Sequence, residues 1–414
     1  MFYYAPLESY RSRYTEQLSK AKIGWMERNW REAGIPYVRL RDPLHEADSS
    51  QINLGQVLDA GRRASQSFCQ TLDLIRLIEN GVITNDDVIY LEDFWHPGFE
   101  QIPYALSLKG IKPKIYAFLW AQSCDCYDFT ARYMDGWIRF FERGITKCLT
   151  GIFVATPLLK DIVCNQNVGS GSIAPLDKVH VVGLPFDSRE VLFRMNSYYV
   201  ESLRDERFWK RTDQVVFSSR WDSEKDPMFF LEVAARVKRK QPNVQFIVCT
   251  GHDKIKSNDL TLLDELNESI ERGEVELREG LSKEQYYEIL CASKIQFNCA
   301  YQDWVSFTLL EASVAGCFPI YPNFRSFPET FLNKREYMYE HRDVDAAVRA
   351  IFEVLNADKS EDLWSPETIK NRSWIHRRFD FTWLRMARVM GLPISPHIYY
   401  ADGHNVDPFY GEWK

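Results

Sequence analysis

Gln214-Val-Val-Phe-Ser-Ser-Arg-Trp-Asp-Ser-Glu-Lys-Asp-Pro227 joins a short apolar run to a polar turn, and its proline opens a helical pattern. Gln214–Ser218 reads as a buried strand, and Pro227–Lys240 as an amphipathic helix with proline in its first turn. Arg220 stands at the strand's end and Lys225, five residues later, at the helix's start. A helix N-terminus presents backbone N–H groups to an anion, so two cations beside it make a site for a diphosphate. Arg220 can bind two oxygens as a planar fork, whereas Lys225 acts as a point charge. Taken alone, the same two residues read more readily as solvated surface than as a site.

Working outward, apolar runs alternate with amphipathic segments, the signature of helices layered on parallel sheets. After the opening stretch come strand patterns at Val244–Cys249, Glu274–Leu277, Ile295–Cys299 and Phe318–Tyr321, with a helix at Phe307–Gly316. The first half repeats the plan, with strands at Phe2–Leu7, Tyr37–Leu40, Asp87–Leu91, Lys114–Leu119, Gly151–Ala155 and Lys178–Val182 and a helix at Leu18–Gly34. The length of 414 residues exceeds what one hydrophobic core usually spans. The expected division is 1–200, 201–385 and an irregular tail, 386–414.

A net charge of −7 argues against a protein that coats nucleic acid along its whole surface. The nine cysteines have no zinc-ligand spacing and fit a reduced, cytoplasmic protein (in the host's cytoplasm, if it is viral). Neither a signal-peptide pattern nor an apolar run long enough to span a bilayer is visible.

Two further patches accompany the first. Asp303-Trp-Val-Ser-Phe-Thr-Leu-Leu-Glu311-Ala sets one carboxylate before a helix and a second inside its apolar stretch. An unpaired carboxylate is costly there, so the acids read either as a buried ion pair or helix cap or as acceptors for vicinal hydroxyl groups. Glu279-Gly-Leu-Ser282 is a loop closed by a serine cap, placed where a nucleobase can lie against backbone.

In order and spacing these pieces resemble the donor half of the retaining glycosyltransferases of the glycogen-synthase-like family four, whose fold is called GT-B. Ser219-Arg220-Trp221 with Lys225 resembles that family's Gly-Arg-Leu and later Lys. Val248-Cys-Thr-Gly251 resembles its turn after the next strand. Asp303 to Glu311-Ala312 resembles its "Glu, seven residues, Glu" signature with Asp in the first place, and Ala315-Gly316-Cys-Phe-Pro319 its closing segment. The resemblance covers about Gln214–Glu329.

It implies two facing Rossmann-like domains with an interdomain cleft and transfer of a sugar from a nucleoside-diphosphate donor, UDP foremost. Arg220, Lys225 and Asp303 would be the catalytic groups. Gly280, Leu281, Val305, Ser306, Phe307, Thr308 and Glu311 would complete the donor site, with Glu311 on the ribose hydroxyls. No metal and no cofactor beyond the nucleotide sugar is expected, because fixed cations can stabilise the departing diphosphate.

The first half departs from the family. A glycine-rich loop is replaced by Pro6-Leu-Glu-Ser-Tyr-Arg-Ser-Arg-Tyr-Thr15. Arg11, Arg13 and Tyr14, with Asp93, His96 and Gln122 at later strand ends, are the candidates for the acceptor side. The acceptor is a hydroxylated base in viral DNA, a saccharide or a small molecule. The rivals from other classes are a nucleotide-sugar epimerase and a non-catalytic nucleic-acid-binding protein using Arg11, Arg13, Arg62 and Arg63. Oligomeric state is not legible.

Overall fold

The expected apolar runs form strands in the computed structural model, which describes residues 1–8, 18–19, 26–41, 60–120, 122–128, 130–131, 134–165, 172–188, 190–195, 211–301, 303–357 and 377–395. Two units result: Met1–Phe186 with Arg378–Lys414, and Asp187–Arg377. The sequence division fell at 200/201 and 385/386, and that of the structure falls at 186/187 and 377/378.

The first unit holds a six-stranded sheet of β1 (Phe2–Ala5), β2 (Tyr37–Arg39), β3 (Val88–Leu91), β4 (Lys114–Phe118), β5 (Gly151–Val154) and β6 (Val179–Val181). Their order is β2-β1-β3-β4-β5-β6, and every pairing is parallel. β1, β3 and β5 are buried along their whole length. That is why their sequences are apolar runs and not alternations. The C-terminal helix Thr382–Met390 belongs to this unit. Its Trp383 meets Tyr90 of β3 edge-on at 5.9 Å. Thr382 Oγ1 donates to Leu184 O at 3.0 Å and Arg385 Nη1 to Val182 O at 3.1 Å. Gly183 permits this approach. Its φ is +88°, and a Cβ there would lie 2.9 Å from Thr382 Oγ1. The tail expected to be irregular from residue 386 is therefore helical to Met390.

The second unit holds β7 (Thr212–Phe217), β8 (Gln245–Cys249), β9 (Glu276–Arg278), β10 (Ser293–Phe297), β11 (Phe318–Pro322) and β12 (Met338–Tyr339). These too are all parallel, in the order β12-β11-β10-β7-β8-β9. Counted from β7, this is the doubly wound order 6-5-4-1-2-3. The chain winds outward from β7 to β9, then returns to the other side of β7 as β10. Open sheets bind ligands at such a reversal, beyond the carboxyl ends of the two strands. The Pro227–Lys240 helix covers the junction. Its Phe230 stacks on Phe217 of β7 at 4.6 Å and lies 6.2 Å from Phe297 of β10. All three rings are fully buried, each burial contributing about 1.5–3 kcal/mol.

Among the described residues no helix is long and apolar enough to cross a membrane.

Candidate donor site

The carboxyl ends of β7 and β10 carry the residues singled out in sequence. After β7, Trp221 turns into the core. Its ring is 1% exposed and meets Phe217 and Phe230 edge-on, and its Nε1 donates to Leu262 O at 2.8 Å. With Trp221 anchored, Arg220 faces solvent at half exposure, bound to Asp222 Oδ2 at 2.8 Å and to Glu224. A 3-10 turn, Ser223–Lys225, then leads to Asp226 in the left-handed region (φ 50°) and to Pro227 at the helix start. A non-glycine residue there is strained. The strain has company, for Cys299 Sγ contacts the carbonyls of both Lys225 and Asp226 at 3.3 Å.

The loop after β10 is bonded to this turn. Tyr301 N donates to Glu224 O at 2.9 Å, and Lys225 Nζ lies 3.2 Å from Asp303 Oδ1. The ammonium is largely buried and the carboxylate a quarter exposed, so the pair meets solvent from the acid's side. Asp303 is held in turn by Ser326, whose Oγ donates to its carbonyl at 2.6 Å. Two residues 78 positions apart thus meet where the sheet reverses.

Ser306 begins the Phe307–Val314 helix without a side-chain capping bond. Its hydroxyl serves instead as acceptor for Asn298 Nδ2 at 3.1 Å and lies 3.2 Å from Thr308 Oγ1. An uncapped helix start is a place for negative charge. Val305 and Ser306 are buried, whereas Phe307 and Thr308 are half-buried at its rim.

Glu311, one turn further on, is 1% exposed. Its Oε1 accepts from Lys283 Nζ at 2.6 Å and from Tyr287 Oη at 3.0 Å. Neither partner was read as a site residue in the sequence. Their only signal was spacing: Lys283 and Tyr287 stand four apart at the start of the Lys283–Ala292 helix, on one face. A capping box of Ser282 and Gln285 fixes that start. From the same turn, Tyr286 Oη lies 2.9 Å from Ser218 Oγ, immediately after β7.

The loop expected to line a base is pinned by its own backbone. Gly280, at φ +63°, donates its N–H to His252 O at 2.7 Å, and Leu281 donates to Thr250 O at 3.2 Å. What this stretch offers a base edge is therefore its carbonyls.

The acceptor-side candidates lie in the first unit. Arg11, Arg13 and Tyr14 fall outside the described residues. Asp93 binds Arg63, which also binds Glu8, at the ends of β1 and β3. Arg63 is buried and paired twice, so it is no part of a basic surface. His96 is 3% exposed, with Nε2 at 3.1 Å from Thr71 Oγ1. Desolvation, helped by Arg63, lowers its pKa to about 3, so the ring is neutral at ordinary pH. Gln122 is fully buried and accepts from Asp125 N at 2.9 Å.

Residues 201–371 match the family model described as Glycosyl transferases group 1. The second unit carries a group 1 glycosyltransferase domain. The matched stretch contains both strand ends, the Lys225–Asp303 pair and the whole environment of Glu311. Over 125 residues the chain is 22% identical to a tRNA-queuosine alpha-mannosyltransferase of Drosophila melanogaster, a match covering 30% of this chain and 32% of the fly protein. Among solved structures, sucrose-phosphate synthase of Thermosynechococcus elongatus superposes with a TM-score of 0.56 at 15% identity, over 86% of this chain and 81% of that one. The pneumococcal O-GlcNAc transferase GtfA, in complex with UDP and GlcNAc, gives 0.51 at 11% identity over 77% of this chain and 59% of its own. This chain thus spans under two thirds of GtfA and about a third of the fly relative. The superpositions establish the fold: two units, each built on a six-stranded parallel sheet with helices, match the structures of GT-B glycosyltransferases.

Proposed function

We propose that the protein is a glycosyltransferase that takes a sugar from a nucleoside-diphosphate donor, UDP-linked in the first instance, and passes it to a hydroxyl acceptor with retention of configuration. One observation carries the reading: Lys225 and Asp303 meet at 3.2 Å at the reversal point of a doubly wound sheet. In this reading the diphosphate displaces the carboxylate partners of Arg220 and Lys225 and takes their place. The bond from the sugar's anomeric carbon to the diphosphate breaks as the acceptor oxygen bonds that carbon and passes its proton to the departing diphosphate, whose growing negative charge both cations and the Phe307–Val314 helix start receive. Asp303, released from Lys225, accepts from the sugar's hydroxyls. Glu311 accepts from the ribose. Fixed cations supply the charge stabilisation that a divalent ion supplies in other sites. UDP is favoured by the GtfA complex, whose ligands are UDP and GlcNAc.

The test is a thermal-shift screen of nucleoside-diphosphate sugars on the full chain, followed by transfer assays with the donor that stabilises it most. Because the fly relative's name specifies a tRNA nucleoside, the acceptor arms hold tRNA and modified DNA as well as saccharides. Transfer to any arm supports the reading. A donor converted to its epimer with no acceptor present would replace it with epimerisation.

A further inference from the structure

We infer that Lys283 and Tyr287 are positioning residues that make Glu311 select a ribonucleotide over its 2′-deoxy counterpart. The inference rests on the reading of the second unit as a nucleotide-sugar site, and it assigns that site a specificity device.

Both partners of Glu311 donate to the same oxygen. Lys283 Nζ and Tyr287 Oη converge on Oε1, at 2.6 and 3.0 Å, and among the described residues no bond reaches Oε2. A carboxylate offers about four lone-pair directions, and here one oxygen is committed while the other keeps its capacity. Two donors on one oxygen also fix the plane of the group, which a single donor would leave free to rotate.

The donors are themselves held. Lys283 is the first residue of its helix, behind the capping box, and its ammonium lies over the rings of Tyr286 and Tyr287 at 5.3 and 5.5 Å. Burial, reinforced by the charge of Glu311, raises the Tyr287 pKa well above its usual value. The phenol therefore stays protonated and stays a donor.

A vicinal diol brings two O–H donors to Oε2, and a 2′-deoxyribose brings one. An oriented, buried carboxylate converts that difference into affinity, because a hydrogen bond to a charged group is among the stronger ones. If Oε1 loses its clamp, the carboxylate can turn and the distinction fades.

The experiment is calorimetric titration of the full chain with UDP, ADP and GDP, each against its 2′-deoxy form. The wild type should prefer the ribonucleotide that it binds best by about tenfold. Tyr287→Phe and Lys283→Met should weaken that ribonucleotide and leave its deoxy form nearly unchanged, bringing the ratio close to one. Lys283→Arg should keep it. Since Lys283→Met strands a buried charge, Tyr287→Phe carries the test if the former fails to fold. A wild type that binds a nucleoside diphosphate without ribose preference overturns the inference alone, as does a folded Tyr287→Phe with an unchanged ratio or an equal loss of both forms. A wild type that binds none of the six overturns the site reading as well.

Discussion

Arg220 and Lys225 are each engaged by carboxylates, and the two differ in how tightly. Arg220 is half exposed and shares Asp222 and Glu224, whereas Lys225 is mostly enclosed with Asp303. Exposed pairs contribute little, at most about 1 kcal/mol, so a diphosphate can displace those of Arg220 readily. Removing one competitor should help the ligand. Glu224→Gln is predicted to tighten UDP binding by up to about fivefold at low salt, an effect that shrinks as ionic strength rises. Equal affinities in titrations of the two proteins would deny that Glu224 competes for this guanidinium. Residue type, spacing and the family resemblance singled out Arg220, Lys225, Asp303 and Glu311 as candidates in the sequence. Lys283 and Tyr287 were not, because their contact with Glu311 joins two helices and leaves no trace along the chain beyond an i, i+4 pair.

At the scale of elements, the strands were legible because parallel strands enclosed on both faces must be apolar throughout. β12 was missed because two residues, Met338 and Tyr339, make no pattern. The Ala60–Glu79 helix hides its role differently: Arg62 and Arg63 look like surface charge, yet Arg63 is a buried bridge between Glu8 and Asp93. Gly183→Ala should destabilise the first unit by about 1–3 kcal/mol, since the positive φ and Thr382 both oppose a methyl group. A urea midpoint equal to wild type would contradict that. The Asp135–Cys148 helix makes a pH-dependent contribution. Its Glu142 is fully buried, accepts from Ser123 N and Oγ, and is pushed by desolvation from 4.5 up to about 7. Unfolded chains lose this proton near pH 4.5, and the folded protein keeps it until about 7. Stability from this group is therefore complete below pH 4.5 and declines as pH rises to about 7. Glu142→Gln should lose less stability between pH 5 and pH 8 than wild type does, and parallel denaturation midpoints would reject the assignment.

For the whole molecule, the pattern of apolar runs was enough to announce two parallel sheets. The position of the switch point was not readable, because strand order depends on which side of β7 the returning β10 takes. Only with that order do the turn after β7 and the loop after β10 become one site. Because its cations belong to the fold, transfer activity is predicted to persist in excess EDTA. Loss of activity that Mg2+ or Mn2+ restores would show that fixed cations alone do not suffice. The central claim concerns one diphosphate held by groups from both strand ends, and direct titration of the full chain with its best nucleoside-diphosphate sugar tests it. The account predicts saturable one-to-one binding that falls at least about tenfold in Arg220→Ala and in Glu311→Ala. Wild-type affinity in both folded variants would contradict it.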